Sequence, residues 1–423
     1  MTTKPESARK PPRSLFSAIG PGVITGAADD DPSGIATYTV VGAQYGTSLL
    51  WTSLLTWPLM AAVQMMCARI GMVTGVGLIH VLRRRFPKAI IVTFAIALFA
   101  ANTINVGADL AGMADAAELF TGLDSHFFVV VFGAATAWAT IRLRYSQIAN
   151  TLKWLTLVLL AYVVTAFMLG PDWGQVLHDT FVPTLPRGSG YWAALVAILG
   201  TTISPYLFFW QASQEVEEEK SLGRKTRKER IGATAGELKA RAIDVGLGTL
   251  FSNLVMFFII LTASLTLHAH GLTHVQTSRE AAQALKPLAG AFAAGLYAVG
   301  VLGVGFLAIP TLTASAGYAL SETFGWRQGL DKGWSGAPGF YSVVLVATLG
   351  GIAMDFANLS PVSALFWSAV INGALAPFLL LAILIVSADP KLMQGQPPGR
   401  LLRVSVAAAI VVMFGGLAGM AFF

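Results

Sequence analysis

Charge is scarce in this sequence. Lys, Arg, Asp and Glu together make up 12% of its 423 residues, against about 25% in an ordinary soluble domain. With 55% of residues hydrophobic, that scarcity excludes a globular enzyme and places the chain among integral membrane proteins. Cysteine is nearly absent. The single Cys67 lies in an apolar segment, which excludes disulfides and thiolate metal sites. None of the six histidines falls in the middle of an apolar run. No cleavable signal peptide, Gly-rich phosphate loop or nucleophile elbow is visible. The net charge of +6 would suggest nucleic acid for a soluble protein, but basic loops on the inner side of a membrane account for it. The expected surroundings are a lipid bilayer, with no nucleic-acid partner.

What is abundant is long apolar runs. A helix crossing the hydrocarbon needs about 20 mostly apolar residues. That length predicts eleven spans, at 16–44, 47–71, 88–120, 126–143, 147–169, 190–214, 243–267, 288–321, 340–356, 360–387 and 401–422. Residues 1–15, basic and Pro-rich, read as a cytoplasmic tail. With the N-terminus inside, the inner loops carry Arg83, Arg84, Arg85, Lys88, Arg142, Arg144, the 220–241 cluster, Arg327, Lys332, Lys391 and Arg400. The outer loops hold little beyond Arg187, Arg279 and Lys286. The positive-inside rule therefore predicts a multi-pass protein of the inner (plasma) membrane, N-terminus cytoplasmic and C-terminus outside. The 215–241 stretch mixes EVEEEK with its basic residues and reads as a solvated loop. His268, His270 and His274 form a weak candidate metal group in an outer loop.

Few acids interrupt the spans: Asp29, Asp30 and Asp31, then Asp109, Asp115 and Asp355. A charge at the bilayer centre costs at least ~2.5–3.5 kcal/mol, so such residues usually face a polar path. Neighbours on a helix point about 100° apart, so three adjacent aspartates cannot share one face. DDDPSG solves this by breaking the helix. Pro32 lacks an amide hydrogen and disfavours helical geometry at Asp31, and Gly34 relaxes the backbone. A second break, GTTISP at 200–205, lies five spans later. Breaks at corresponding positions of two five-span halves mark transporters built from inverted repeats, with the site where the broken helices meet. The predicted fold is all-α and LeuT-like: a 5+5 inverted repeat with helices 1 and 6 broken. The repeats are 16–170 and 190–387, and 401–422 is an extra helix.

The expected site is lined by hard oxygen donors, suited to Mg²⁺, Ca²⁺ or Mn²⁺. Asp31 is the leading carboxylate and Asp30 a second ligand, with Asp29 less central. Thr201 and Ser204 offer carbonyl or hydroxyl oxygens. Ser368 and Asn372 on the tenth span, and Gln211 and Asp109, are candidates for a surrounding shell or pathway.

GPGVITGAADDDPSGIATYTVVGAQYGTSLLW resembles the first-helix region of the Nramp family of divalent metal transporters. Its hallmark there is Asp-Pro-Gly-Asn followed by an Ala-Thr pair. TGVGLI resembles the family's second-helix ending, and GTTISPYLFFWQAS stands in place of its Ala-x-x-Met-Pro-His motif. By position, Asp31 matches the metal-binding aspartate and Gly34 replaces an asparagine ligand. Thr201 takes the place of a carbonyl-donating alanine, Ser204 of a methionine ligand and Tyr206 of a histidine. Asp109 keeps the family's aspartate, while Gly112 replaces a glutamate of its proton path. Loss of the thioether removes a preference for transition metals. Mg²⁺ usually keeps several waters, and a wide oxygen-lined site suits it. The pattern resembles the Nramp-related magnesium transporters. The resemblance implies Mg²⁺ import, with Mn²⁺ also accepted, through alternating access without proton coupling. It implies no cofactor and no required oligomer. Three readings compete: a proton-coupled Mn²⁺ importer, a sodium-coupled organic-solute symporter, and an intramembrane protease using Asp31 and Asp355. Three aspartates would repel an organic carboxylate. The stretch GGIAM before Asp355 lacks the glycine-flanked pattern of such proteases.

Overall fold

The computed structural model describes residues 25–26, 28–143, 157–184, 189–356 and 360–422, all helix and connecting turns with no strand among them. The predicted span 16–44 is therefore seen only from Thr25 onward. Its second half is α1 (Pro32–Tyr45). There follow α2 (Trp51–Thr74), α3 (Lys88–Thr121), α4 (Ser125–Arg142), α5 (Leu160–Leu169) and a short amphipathic α6 (Trp173–Phe181). The second broken span is α7 (Ser189–Thr202) and α8 (Pro205–Ser221). The rest are α9 (Ala235–Thr266), α10 (Ala293–Phe324), α11 (Pro338–Asp355), α12 (Pro361–Ser387) and α13 (Arg400–Phe422). Among the described residues, eight helical stretches are long and apolar enough to cross a membrane.

Two boundaries differ from expectation. The seventh span begins at Ala235, not 243, because Thr234 and Glu237 form a capping box that satisfies the first-turn amides. Residues 235–241 are thus a helix projecting from the apolar zone rather than a loop. The eighth span is preceded by short helical turns over 278–292 and becomes a continuous helix only at Ala293.

At about 1.5 Å per residue, the 34-residue α3 is about 51 Å long, well beyond the ~30 Å hydrocarbon. It forms the axis of the bundle, packed along α10, α11 and α12. α1 lies against α9, α12 and α7. Contacts draw the loops predicted to be cytoplasmic to one end. Arg230 Nε donates to Gly75 O (3.1 Å), His80 N to Glu322 Oε2 (3.0 Å) and Arg69 Nε to Gln396 O (3.1 Å). At the opposite end Thr47 donates to Asp179 on α6. Burial pushes the Asp179 carboxyl up, but hydrogen bonds from Thr47, His178 and Gln175 more than offset this and hold it below the usual carboxylate range.

Close backbone approach holds α7 against α12. A Cβ at Gly200 would lie 2.0 Å from the Ala369 carbonyl oxygen and 2.3 Å from the Gly373 nitrogen. Small residues permit such contacts between membrane helices. Gly200→Ala is expected to force α7 off α12 at a cost of about 1–3 kcal/mol. Thermal unfolding in detergent measures it, and an unchanged melting temperature would contradict this packing.

Candidate metal site

The first break is built by Asp31. Its backbone is extended (φ −70°, ψ 170°) and it caps α1, with Pro32 in the first turn. Oδ1 accepts from Gly34 N (2.7 Å) and Ser33 Oγ (2.6 Å), and Oδ2 accepts from Asn105 Nδ2 (3.1 Å) on α3. Residues 28–29 before the break are helical. That half-helix touches α9 closely, since a Cβ at Gly26 would meet the Gly248 backbone at 2.4 Å. One turn further along α9, Ser252 Oγ lies 2.8 Å from Asp29 Oδ2 and 3.0 Å from Asp30 Oδ1. A hydroxyl has one hydrogen, so it serves these two carboxylates alternately. Asp29 Oδ1 and Asp30 Oδ2 are buried without a hydrogen-bond partner.

The second break falls at Ile203–Ser204, between α7 and α8. Ser204 is extended (φ −74°, ψ 133°) and Pro205 opens α8. The Ser204 hydroxyl reaches back to the Gly200 (2.7 Å) and Thr201 (2.8 Å) carbonyls. It thereby satisfies groups left free at the end of α7. Its hydrogen is used there, while its oxygen lone pairs are not. The two breaks meet: a Cβ at Gly34 would lie 3.1 Å from Thr201 Oγ1. The absence of a side chain at Gly34 is what lets Thr201 approach. Tyr206 Oη on α8 donates to Ala28 O (3.0 Å) across the same junction.

Asp109, seven residues or about two helical turns from Asn102 and four residues from Asn105, lies on the same face of α3. Both its oxygens are buried without a close hydrogen bond. Gln211 links two elements. Its Oε1 accepts from Thr25 Oγ1 (2.7 Å) and its Nε2 donates to Glu215 Oε1 (2.6 Å). Ser368 donates to Leu365 O (2.8 Å) on its own helix, whereas Asn372 is buried with Oδ1 unpartnered. Asp29, Asp30, Asp31, Asp109 and Gln211 are all at most 1% exposed, so these side chains are out of contact with solvent.

The other expected groupings do not form. No three His, Cys, Asp or Glu side chains converge as a metal site among the described residues. This applies to the His268–His274 group as well. His268 Nδ1 faces Ala43 O (2.8 Å) and His270 Nδ1 faces Thr266 O (2.6 Å). Asp355 bonds His126 instead of Asp31, so the expected Asp31–Asp355 dyad does not form. Any ion at the junction must take hydroxyl, amide or carbonyl oxygens beside its carboxylate. Asn105 and Ser252 were not anticipated, because their partners lie 74 and 223 residues away in the sequence.

Residues 22–422 match the Nramp family, described as natural resistance-associated macrophage protein-like. The chain belongs to that family. The divalent metal cation transporter MntH of Yersinia pestis is 27% identical over 296 residues, which is 68% of this chain and 69% of that protein. MntH of Deinococcus radiodurans is 27% identical over 425 residues, 96% of this chain and 89% of its own. Among solved structures, the manganese transporter of Eremococcus coleocola superposes with a TM-score of 0.74 at 18% identity, covering 97% of this chain and 88% of that one. Mhp1, a nucleobase-cation-symport-1 family transporter, gives 0.55 at 13% identity, over 95% and 90%. These likenesses establish a LeuT-like fold. The Nramp relatives are transporters, not enzymes. In this Nramp chain, the Gly112 position is filled by a neighbour, since a Cβ there would lie 2.7 Å from Leu365 Cδ1. The face of α3 at Gly112 packs against Leu365.

Proposed function

We propose that this multi-pass Nramp protein imports divalent cations across the plasma membrane by alternating access, taking Mg²⁺ and also Mn²⁺, without proton coupling. The observation that carries this reading is the meeting of the two broken helices, Gly34 against Thr201 Oγ1, in surroundings whose donors are oxygens. Asp31 is the principal carboxylate, with Asp30 second. Thr201 and Ser204 supply oxygen from the other break, and Asp29, Asp109 and Asn372 line the approach. Hard oxygen sites favour Mg²⁺ and Mn²⁺ over thiophilic ions.

The absence of coupling follows from the lack of a free imidazole near the site to carry the proton. His126 and His178 are engaged with Asp355 and Asp179 at the ends of helices. Gly112 and Tyr206 offer no exchangeable proton near neutrality. Membrane potential suffices as a driving force, about 4.6 kcal/mol per 100 mV for a divalent ion, twice the single-charge value. The basic loops gathered at one end support a cytoplasmic N-terminus and an external C-terminus.

Proteoliposomes with internal pH followed are the test. The expected result is Mg²⁺ entry, with Mn²⁺ competing and no acidification of the lumen. Mn²⁺ entry with acidification and no Mg²⁺ transport would replace this reading with a proton-coupled Mn²⁺ importer.

A further inference from the structure

The Asn105 amide is fully buried, and only half of it is accounted for. Nδ2 donates to Asp31 Oδ2 at 3.1 Å, while Oδ1 has no hydrogen-bond partner. An unsatisfied buried carbonyl costs about 1–3 kcal/mol, and the great majority of such groups in native proteins are paired. Asn105 is not alone. Asn102, three residues earlier on α3, donates Nδ2 to Leu312 O (2.8 Å) and leaves Oδ1 unpartnered. Asp109, four residues later, makes no close hydrogen bond through either oxygen, with only the Ser33 amide facing it among the recorded donors. Spacings of three and four place all of them on one stripe of the helix. The stripe therefore presents four buried oxygens that accept; the Ser33 amide faces those of Asp109, and the two asparagine oxygens meet no donor. The oxygen nearest the Asp31 contact belongs to Asn105.

We infer that Asn105 supplies an amide oxygen to the transported cation beside Asp31. This rests on the reading that Asp31 holds the cargo. α3 thereby becomes a third ligand-bearing element beside the two broken helices. Gly34 has no side chain, so α1 offers the ion no oxygen from that position. An amide oxygen is hard and neutral, and it adds no further negative charge to a pocket already crowded with aspartates. Rotation of the planar amide about its last side-chain bond exchanges Nδ2 for Oδ1 toward Asp31. With no cation the amide is a donor to the carboxylate, and with a cation both oxygens turn to the ion.

Substitutions separate a ligand from a mere donor. Asn105→Ala removes both functions. Asn105→Asp keeps an oxygen but cannot donate when ionised, and it repels Asp31 when no cation is bound. Mn²⁺ and Mg²⁺ binding to the purified full-length protein, measured by calorimetry, is the readout. Thermal unfolding in detergent confirms folding. Asn105→Ala is expected to weaken binding of both ions by about tenfold or more, and Asn105→Asp to retain or tighten it. Binding by Asn105→Ala within twofold of the parent overturns the inference. Asn105→Asp as weak as Asn105→Ala also overturns it, because a donor role alone predicts that pattern. If Asn105→Ala does not fold, Asn105→Asp decides alone: binding as tight as the parent or tighter supports the inference, and weaker binding overturns it. Asp31→Ala serves as the control for the underlying reading. If that variant still binds and transports, the cargo site itself is misplaced, which is a different failure from insensitivity at Asn105.

Discussion

Asp31→Ala and Asp31→Asn should both lose cation uptake by about two orders of magnitude or more, yet differ in stability. The separation follows from the two tasks of one carboxylate. Oδ1 caps α1 through the Gly34 amide and the Ser33 hydroxyl, and Asn caps a helix about as well as Asp. Alanine caps poorly, at a cost of about 0.5–2 kcal/mol. Asp31→Asn should therefore melt near the parent temperature and Asp31→Ala below it. The charge belongs to the second task. A neutral amide cannot supply the full anionic field that draws a divalent ion from water. Each decade of affinity corresponds to about 1.4 kcal/mol, a small part of what a buried carboxylate contributes beside a dication. Uptake of Mg²⁺ and Mn²⁺ into proteoliposomes, normalised to folded protein, measures the first effect, and unfolding in detergent measures the second. Asp31→Asn transport near the parent rate would remove Asp31 from the ion's coordination.

The breaks that frame this site were legible in the sequence because proline acts locally. Pro32 and Pro205 each open a half-helix directly after an extended residue, as DDDPSG and TISP imply. Loop charges likewise pointed to one end of the bundle, since arginine is expelled from hydrocarbon wherever it occurs. What could not be read was pairing at a distance. Asn105 and Asp31 lie 74 residues apart, and Ser252 and Asp29 lie 223 apart. Nothing in the neighbours of either serine or asparagine announces a partner. The 215–241 stretch shows a third kind of limit. Its mixed charges read as a solvated loop, because hydropathy scores each residue as if it faced water alone. The Thr234–Glu237 capping box was nevertheless present as a helix-start signature, and it puts Arg241 in the second turn of α9 instead of a loop. Ser204 shows the converse. Its place in the break was foreseen, but its hydroxyl turns back to the carbonyls of α7.

Arg241→Ala is expected to destabilise the protein by about 3–5 kcal/mol, the largest stability loss among these substitutions. The guanidinium holds three acids from two helices. Nε lies 2.8 Å from Glu215 Oε1, Nη1 bonds Asp244, and Nη2 bonds Glu218. Glu215 is 1% exposed and also takes a hydrogen bond from Gln211, which in turn accepts from Thr25. A continuous chain thus runs from the first half-helix through α8 to α9 and closes the end of the bundle that carries the basic loops. Without the arginine, Glu215 stays buried beside two further acids, and an uncompensated charge is far costlier than the pair's own net contribution. Arg241→Lys keeps the charge but offers one ammonium in place of a planar fork, so its melting temperature should fall between parent and alanine. A double variant, Arg241→Met with Glu215→Met, removes the stranded charge with its partner and should recover most of the loss, because a packed apolar pair often replaces a buried ion pair at little cost. Thermal unfolding of the parent and the three variants in one detergent distinguishes the cases. Equal melting temperatures for Arg241→Ala and the parent would mean that the cluster is solvated after all. Failure of the double variant to recover would locate the loss in Glu218 and Asp244, the acids that still face the vacated position.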